Sequence, residues 1–497
     1  MLLIGVKSIQ SQTVKFNRMY RYSIYNGDGT MFHQVIQKNN NYLVFGEYDT
    51  IGHYMQPFCA KFDSTGNILF WKPFRDTLKS YLLSYFNTNI QTSDGGYIIS
   101  GTVRVPPNTY HGFLMKLDSN LNMQWRRYYY DTDPASLWNY PDYAFLSLNL
   151  TSDNGFIATG TRFKNSGKST ALAIKFDSLG NQQWIKTHLE NKVFSTYHSI
   201  ITLPSSEYVF GGGVDSTSNF VNNDIIVIKT DSTGNNIWQK TFGGIMGEGQ
   251  LSLQNHPDGS IMLSYAKSDS AVISTGNYEG FFKLQFHKLS PVTGDTLWGL
   301  SYGPFRENQL SYVFRVFSDG SALASGTYGF ANTDSWLLHL NREGTVDWYK
   351  EYKTSNAIIM NLFYDLQQTS DSGYIVIGRI VNSDSANSTC GWLLKVDAQG
   401  SWQDSANYIM PNVKLESSLE VFPNPASTEV TATYFSDIEQ GILEIYNTMG
   451  TKLMEVKLPI GQNSHKFSVA HLAKGYYKVI LKEKGILRGQ VSLLITD

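Results

Sequence analysis

The residues best suited to hold a ligand lie in one stretch, YYYDTDPASLWNYPDYAF at 128–145. It sets Tyr129, Trp138, Tyr140 and Tyr143 beside Asp131, Asp133 and Asp142. A flat aromatic face can stack on a sugar ring while neighbouring carboxylates accept its hydroxyl protons, so Trp138, Tyr140, Tyr143 and Asp133 are the candidate ligand-binding residues. The competing reading is a loop that folds its own aromatics onto the protein. HYMQPF, with His53 and Tyr54, is a smaller candidate of the same kind. Catalysis has no signature. The 10 histidines stand singly without an HExxH pair, and GxSxG, P-loop and GxGxxG motifs are all missing. With 42 Asp and Glu, acidic pairs are easy to find, but only their separation in space would make two of them a glycosidase pair. No catalytic residue, metal site or cofactor is assigned.

Composition narrows the classes. At 41% apolar and 14% aromatic residues the chain folds through most of its length, and 497 residues exceed what one hydrophobic core supports. Forty Lys and Arg against 42 Asp and Glu give a net charge of −2, which argues against a nucleic-acid groove. Cys59 and Cys390 allow at most one disulfide, and whether they pair is left open. No run approaches the ~18 apolar residues that a membrane-spanning helix needs.

The elements that must position any site come from a repeat. One phrase, apolar residues then Lys-x-Asp, a small turn and Trp, recurs seven times, as in AKFDSTGNILFW, IKFDSLGNQQW and LKVDAQGSW. The tryptophans are Trp71, Trp125, Trp184, Trp238, Trp298, Trp348 and Trp402. A second phrase precedes each, as in SDGGYIISG, SDNGFIATG and SDSGYIVIG. DSTGN is an Asx or glycine turn between two extended segments, and the second phrase sets another turn before a β-rich run. Each unit is therefore about four strands in roughly 55 residues. In the fourth unit Ile226 and Ile228 face one side of a strand, Ile225 and Val227 the other, so both faces need cover. Face-to-face stacking of seven such sheets predicts an all-β, seven-bladed β-propeller of four-stranded blades over residues 17–408. A parallel β-helix is the alternative. MYRYSIYNGDG resembles the strand that begins at each tryptophan, so the N-terminal strand is expected to join the last unit. The turn residues Asp63, Asp118, Asp177, Asp231 and Asp397 are expected to cap turns rather than bind metal. The tryptophans are expected to pack between units, and Lys61, Lys116, Lys175, Lys229, Lys288 and Lys395 to snorkel at sheet edges. Residues 1–16 resemble the tail of a secretory signal.

Past a linker at 409–418 the composition changes. LEVFPNPASTEVTATYF, GILEIYNTMGTKLMEVKL and HKFSVAHLAKGYYKVILKEKG alternate between PNP, MG and KG turns, which predicts a small antiparallel β-sandwich over 419–497. These linked motifs resemble the type A C-terminal sorting domain of Bacteroidetes proteins exported by the type IX (Por) secretion system. The matching residues are Pro423, Asn424 and Pro425 at the opening turn, Gly450 in the central hairpin, and Gly475 with Tyr477 in the late strand. The final QVSLLITD departs from the family in lacking a basic ending. The resemblance implies periplasmic entry by a signal peptide, engagement of the type IX machinery, and removal of the domain with attachment to surface lipopolysaccharide or release. The seven-unit region looks like propeller repeats that accompany this domain.

Together these readings predict a secreted or cell-surface scaffold for binding or adhesion, with a glycan or protein as ligand. The alternatives are a polysaccharide-active hydrolase or lyase with its site in the propeller channel, and a structural coat component.

Overall fold

A computed structural model describes residues 15–20, 29–49, 54–76, 78–84, 87–105, 109–130, 143–163, 168–215, 223–243, 251–274, 277–305, 309–328, 334–352, 358–382, 389–402, 407–409, 419–434, 441–459, 464–483 and 486–496. Residues 1–14, most of the expected signal remnant, lie outside that set. The chain divides into two compact units, 1–67 with 73–411 and 68–72 with 412–497. The fold is all-β, built of small antiparallel sheets.

In the first unit the repeats become meanders. Repeat 3 runs Tyr143–Leu150, Phe156–Phe163, Ser169–Phe176 and Gln182–His188, each strand antiparallel to the last. Repeat 4 follows with Phe194–Thr202, Tyr208–Asp215, Asp224–Thr230 and Asn236–Phe242. Both faces of the third strand are covered, as the alternation predicts. Ile225 and Val227 share a core with Leu251 and Leu253 of repeat 5, while Ile226 and Ile228 share one with Ile157, Ala171 and Ala173 of repeat 3. At roughly 25 cal/mol per Å² of apolar surface, this two-sided burial is the main stabilising term.

The same succession runs along the chain. The first strands of repeats 5 and 6, Leu251–Asn255 and Gln309–Val316, pack on repeats 4 and 5, and that of repeat 7, Ile358–Gln368, packs on repeat 6. Thr30–Lys38, the first strand of repeat 1, packs on Ile358–Gln368, Tyr374–Asn382 and Thr389–Val396 of repeat 7. The fourth strand of repeat 7 comes from the other end of the chain: Phe16–Tyr20 pairs antiparallel with Thr389–Val396, Phe16 opposite Lys395 and Tyr20 opposite Gly391.

The repeated residues have specific tasks. Asp231 Oδ1 accepts the backbone N–H of Thr233 at 2.9 Å and of Asn235 at 2.9 Å, and Asp63, Asp118, Asp177 and Asp397 do the same in their turns. The turn glycine has positive φ and is also covered by an aromatic ring. Trp125, Trp184, Trp238, Trp298 and Trp348 lie against Gly180, Gly234, Gly294, Gly344 and Gly400 of the following repeat, where a Cβ would come within 2.6–3.2 Å of the ring. Four residues after Trp125 and Trp348, Tyr129 and Tyr352 donate their hydroxyls to the carbonyls of Gly180 and Gly400 at 2.7 and 2.8 Å. On the N-terminal strand Phe16 covers Gly66 and the Tyr20 hydroxyl donates to the Gly66 carbonyl, so the pair takes the same role. Trp402 departs from the expected pattern because Phe16–Tyr20 holds the place its strand would fill; it packs on Tyr352 instead, with ring centroids 4.6 Å apart.

The lysines require a correction. Lys116, Lys175, Lys229 and Lys395 are buried rather than snorkelling at edges. Each reaches an acid at the turn of its own second phrase: Lys116 to Asp94 at 2.8 Å, Lys175 to Asp153 at 2.5 Å, Lys229 to Glu207 at 2.8 Å and Lys395 to Asp371 at 2.9 Å. Lys288 reaches Asp258 at 2.5 Å in the same way. A buried ammonium without a counter-charge would cost several kcal/mol. The Lys116 bond, helped by Thr92, holds the Asp94 carboxyl down to about 2.

The second unit has a sheet of Glu420–Phe422, Glu429–Thr433 and Ser464–Ser468, and one of Lys452–Lys457, Gly441–Tyr446, Gly475–Glu483 and Ile486–Ile495. Val430, Ala432 and Phe467 of the first sheet share one core with Leu443, Ile445, Val479, Leu481 and Leu493 of the second. This is the sandwich that the alternation predicts.

Candidate functional site

The second phrase ends in glycine for a reason that leads to the site. In repeat 4 the register shifts between Tyr197 and Ser199 of the first strand, so His198 is a β-bulge, and Gly212 stands opposite Tyr197. A Cβ on Gly212 would lie 1.7 Å from the Thr196 carbonyl oxygen. Gly46, Gly160, Gly326 and Gly378 face the same shift in repeats 1, 3, 6 and 7. Repeat 5 has Tyr265 at this position, and its register runs unbroken from Leu251 to Asn255. A bulge turns a strand and re-aims its side chains. The bulged positions and those beside them, including His33, Gln34, Ser147, His198, Tyr364 and Asp365, meet in one cavity of about 200 Å³. All seven repeats line it, with Asn87 from repeat 2, Ser252 from repeat 5 and Arg315 from repeat 6.

Its wall is polar and ordered. The Gln34 amide donates to Asn87 Oδ1 at 2.9 Å and accepts the Asn89 N–H at 2.7 Å. Asn87 donates to the Leu148 carbonyl at 3.1 Å, and Asn149 to that of Ile200 at 3.2 Å. Arg315 pairs with Asp365 at 2.7 Å, and the other Asp365 oxygen accepts the Val35 N–H at 3.0 Å. The His33 ring stacks on Tyr364 at 5.4 Å and meets the Glu47 carboxylate at 3.4 Å. His33 Nδ1 lies 3.2 Å from the Ser84 carbonyl, to which it can only donate, and its Nε2 faces the Glu47 carboxylate. His198 borders the cavity but lies deep in the protein, and burial lowers its pKa from 6.5 to about 4. Among the described residues no group of three or more His, Cys, Asp or Glu could hold a metal ion.

None of the described residues of the aromatic stretch named from sequence lines this cavity. Asp133, Trp138 and Tyr140 lie outside the described residues, as do Asp131, Asp142 and His53. Tyr143 is 6% exposed and belongs to the core that holds Phe145 and Phe156, so it packs between sheets rather than offering a platform. Tyr129 is committed to Gly180. The cavity residues escaped notice because they differ from repeat to repeat; the glycine closing each second phrase is the signal that marks their strands.

The sorting-domain residues are all described. The Asn424 side chain bridges the last strand, donating to the Ser492 carbonyl at 2.8 Å and accepting the Leu494 N–H at 2.9 Å. The backbone of Ala426 extends that seam, donating to Leu494 and accepting from Thr496. The peptide bonds before Pro423 and Pro425 are both cis. Gly450, at φ +79°, closes a turn in which Asn447 Oδ1 accepts the Met449 and Thr451 N–H groups at 3.0 and 2.9 Å. Gly475, at φ +151°, opens the strand whose Tyr477 hydroxyl donates to the Ala473 carbonyl at 2.5 Å. Residues 420–490 match the family model described as the secretion system C-terminal sorting domain. This segment is a Por secretion sorting domain. The chain bearing it is a secreted or cell-surface protein, and no helix among the described residues is long and apolar enough to cross a membrane. No curated protein matches the chain. Solved structures resemble it distantly. A polysaccharide lyase family 25 ulvan lyase has TM-score 0.46 and 10% identity over 76% of this chain and 95% of its own. An α-L-arabinanase from Penicillium chrysogenum has TM-score 0.39 and 10% identity over 64% and 99%, and a puromycin-hydrolysing peptidase from Mycobacterium tuberculosis 0.43 and 10% over 82% and 58%.

Proposed function

We propose that the chain is a secreted ligand-binding scaffold whose seven meanders close into one seven-bladed β-propeller, with the cavity at its axis as the ligand site and a glycan as the ligand. Closure is supported by the packing of Thr30–Lys38 on repeat 7 and by the Phe16 and Tyr20 contacts with Gly66. The observation that carries the function is that all seven repeats contribute to a single polar cavity. A core position filled by amides, hydroxyls and an Arg–Asp pair sacrifices apolar packing, which a purely structural axis would not require. The sorting domain would hand this unit to the type IX machinery, and attachment to surface lipopolysaccharide would display it. The test is a glycan array probed with the purified full chain. Retention of a defined glycan class, lost in a variant whose cavity is filled, is the expected result; a blank array together with no bound protein ligand would discard the reading.

A second reading, a polysaccharide-active hydrolase or lyase working in the same cavity, is favoured by the gathering of His33, Tyr364, Asp365 and Arg315 on one side. An imidazole beside a carboxylate and a phenol are the side-chain types that serve general acid–base catalysis. Release of new reducing ends or unsaturated products from a bound polysaccharide would select it over simple binding.

A further inference from the structure

The charge balance of the cavity restricts its ligand further. Resting on the proposal that the cavity is the ligand site, we infer that it takes a single neutral sugar unit and rejects uronates and sulfated sugars. Every charged side chain described in its wall already has its counter-charge. Arg315 is held by Asp365 at 2.7 Å and Asp365 also accepts the Val35 N–H. His33 faces the Glu47 carboxylate at 3.4 Å, so it offers no unmatched cation. His198, with its pKa lowered by burial, adds no positive charge at neutral pH. An anionic ligand would give up its hydration without gaining an unmatched cation.

The remaining wall is suited to hydroxyl groups. Gln34, Asn87, Asn149 and Gln254 contribute amides, and Ser147 and Ser252 hydroxyls. Amides present a donor and an acceptor together, as sugar hydroxyls do. The volume of about 200 Å³ falls below the ~300–1,000 Å³ of drug-sized sites, so one ring enters and a longer chain must leave the rest outside. Recognition is thus of a terminal unit.

The experiment titrates the full chain with methyl glycosides of glucose, galactose, mannose and rhamnose, and with glucuronate, galacturonate and galactose 6-sulfate, by calorimetry and saturation-transfer NMR at pH 7. At least one neutral glycoside is expected to bind tenfold or more tightly than every anionic sugar. Asp365→Asn, which strips Arg315 of its counter-charge, is expected to shift that ratio at least tenfold towards the uronates. Ser252→Phe, which fills the cavity from a residue with no side-chain bond of its own to lose, is expected to abolish binding while tryptophan fluorescence stays native. A wild-type preference for an anionic sugar would overturn the inference, as would binding unchanged by Ser252→Phe, although the scaffold reading would survive either. No binding by any of these sugars would overturn it too, and a blank glycan array would then remove the scaffold reading as well. Should Asp365→Asn fail to fold, the wild-type ratio and Ser252→Phe still decide.

Discussion

The repeat region and the sorting domain use the same turn for different ends. In both, an Asp or Asn side chain accepts two backbone N–H groups and a glycine at positive φ closes the loop: Asp231 with Gly234, Asn447 with Gly450. Around Gly450 nothing stands within 4 Å of where a Cβ would be, whereas Gly344 has Trp298 at 2.6 Å. In the sorting domain glycine is needed for its backbone conformation alone. In the repeats it is also the floor on which the preceding unit stands, so each turn carries both a local constraint and the contact between units.

The most severe test of that difference leaves the turns for the bulges. Gly212→Ala forces a methyl group against the Thr196 carbonyl, where neither strand can yield without losing the His198 bulge. Overpacking of backbone on backbone should cost more than about 4 kcal/mol and leave little folded repeat region at 37 °C. All 10 tryptophans lie at or before Trp402 and all but Trp71 fall in the first unit, so tryptophan fluorescence reports chiefly the repeats and the sorting domain can be followed separately by hydrogen exchange. A melting temperature within a few degrees of wild type would show that the bulge does not need its glycine.

Acid should also separate the two regions. His198 has a pKa of about 4 in the folded protein against an ordinary 6.5, because burial disfavours the charged ring. Its folded pKa is depressed, so as pH falls below 6.5 the unfolded chain takes up the proton first. Stability is lost between pH 6.5 and 4, by roughly 3 kcal/mol from this one group. Asp94 and Asp153, both held down to about 2, add their losses only below about pH 4. The sorting domain has Glu444, lowered to about 2 chiefly by Lys482, and should hold its stability until pH falls below about 4.5. Urea titrations read by fluorescence at pH 7 and pH 4.5 check this, and His198→Gln should flatten the difference.

What was legible in the chain follows the same division. Repetition exposed the meander, the two-sided burial of Ile225 to Ile228, the capping role of the turn aspartates and the borrowed strand at Phe16–Tyr20, because each was written several times or fitted a vacant place in the series. Pairing of Lys175 with Asp153 was harder to read, since the partners are 22 residues apart and meet only once the hairpin register is known. The cavity was hidden for the opposite reason. His33, Asn87, His198, Arg315 and Asp365 occupy related positions but are different residues, so a search for sameness passes over them. Tyr143 misled because an aromatic beside an acid has the composition of a platform even when its strand carries it into the core.

The turn comparison itself can be measured. Gly450→Ala should cost about 1–2 kcal/mol, the ordinary penalty for an alanine at positive φ. Gly344→Ala bears the same penalty and must also displace Trp298, so it should cost about 2 kcal/mol more. Equal losses at the two sites would mean that the tryptophan moves aside freely and that contact between repeats does not depend on its seat.

The smallest effect probes the sorting domain's own device. Asn424→Ala removes one donor and one acceptor from the seam with Ser492 and Leu494, while the Ala426 backbone bonds to the same strand remain. The site is exposed, so water replaces much of what is lost, and the expected cost is about 1 kcal/mol. Faster hydrogen exchange should appear at the Leu494 N–H and decline along the strand towards Gly489, with tryptophan fluorescence unchanged. In the repeats even the larger loss in Asp231→Ala, which removes the acceptor of the Thr233 and Asn235 N–H groups, leaves Gly234 seated under Trp184 and Lys186, so the turn should keep its protection. If Leu494 exchanges no faster in the Asn424 variant, the terminal strand is held by its pairing with Gly475–Glu483, and the Asn424 side chain is incidental to it.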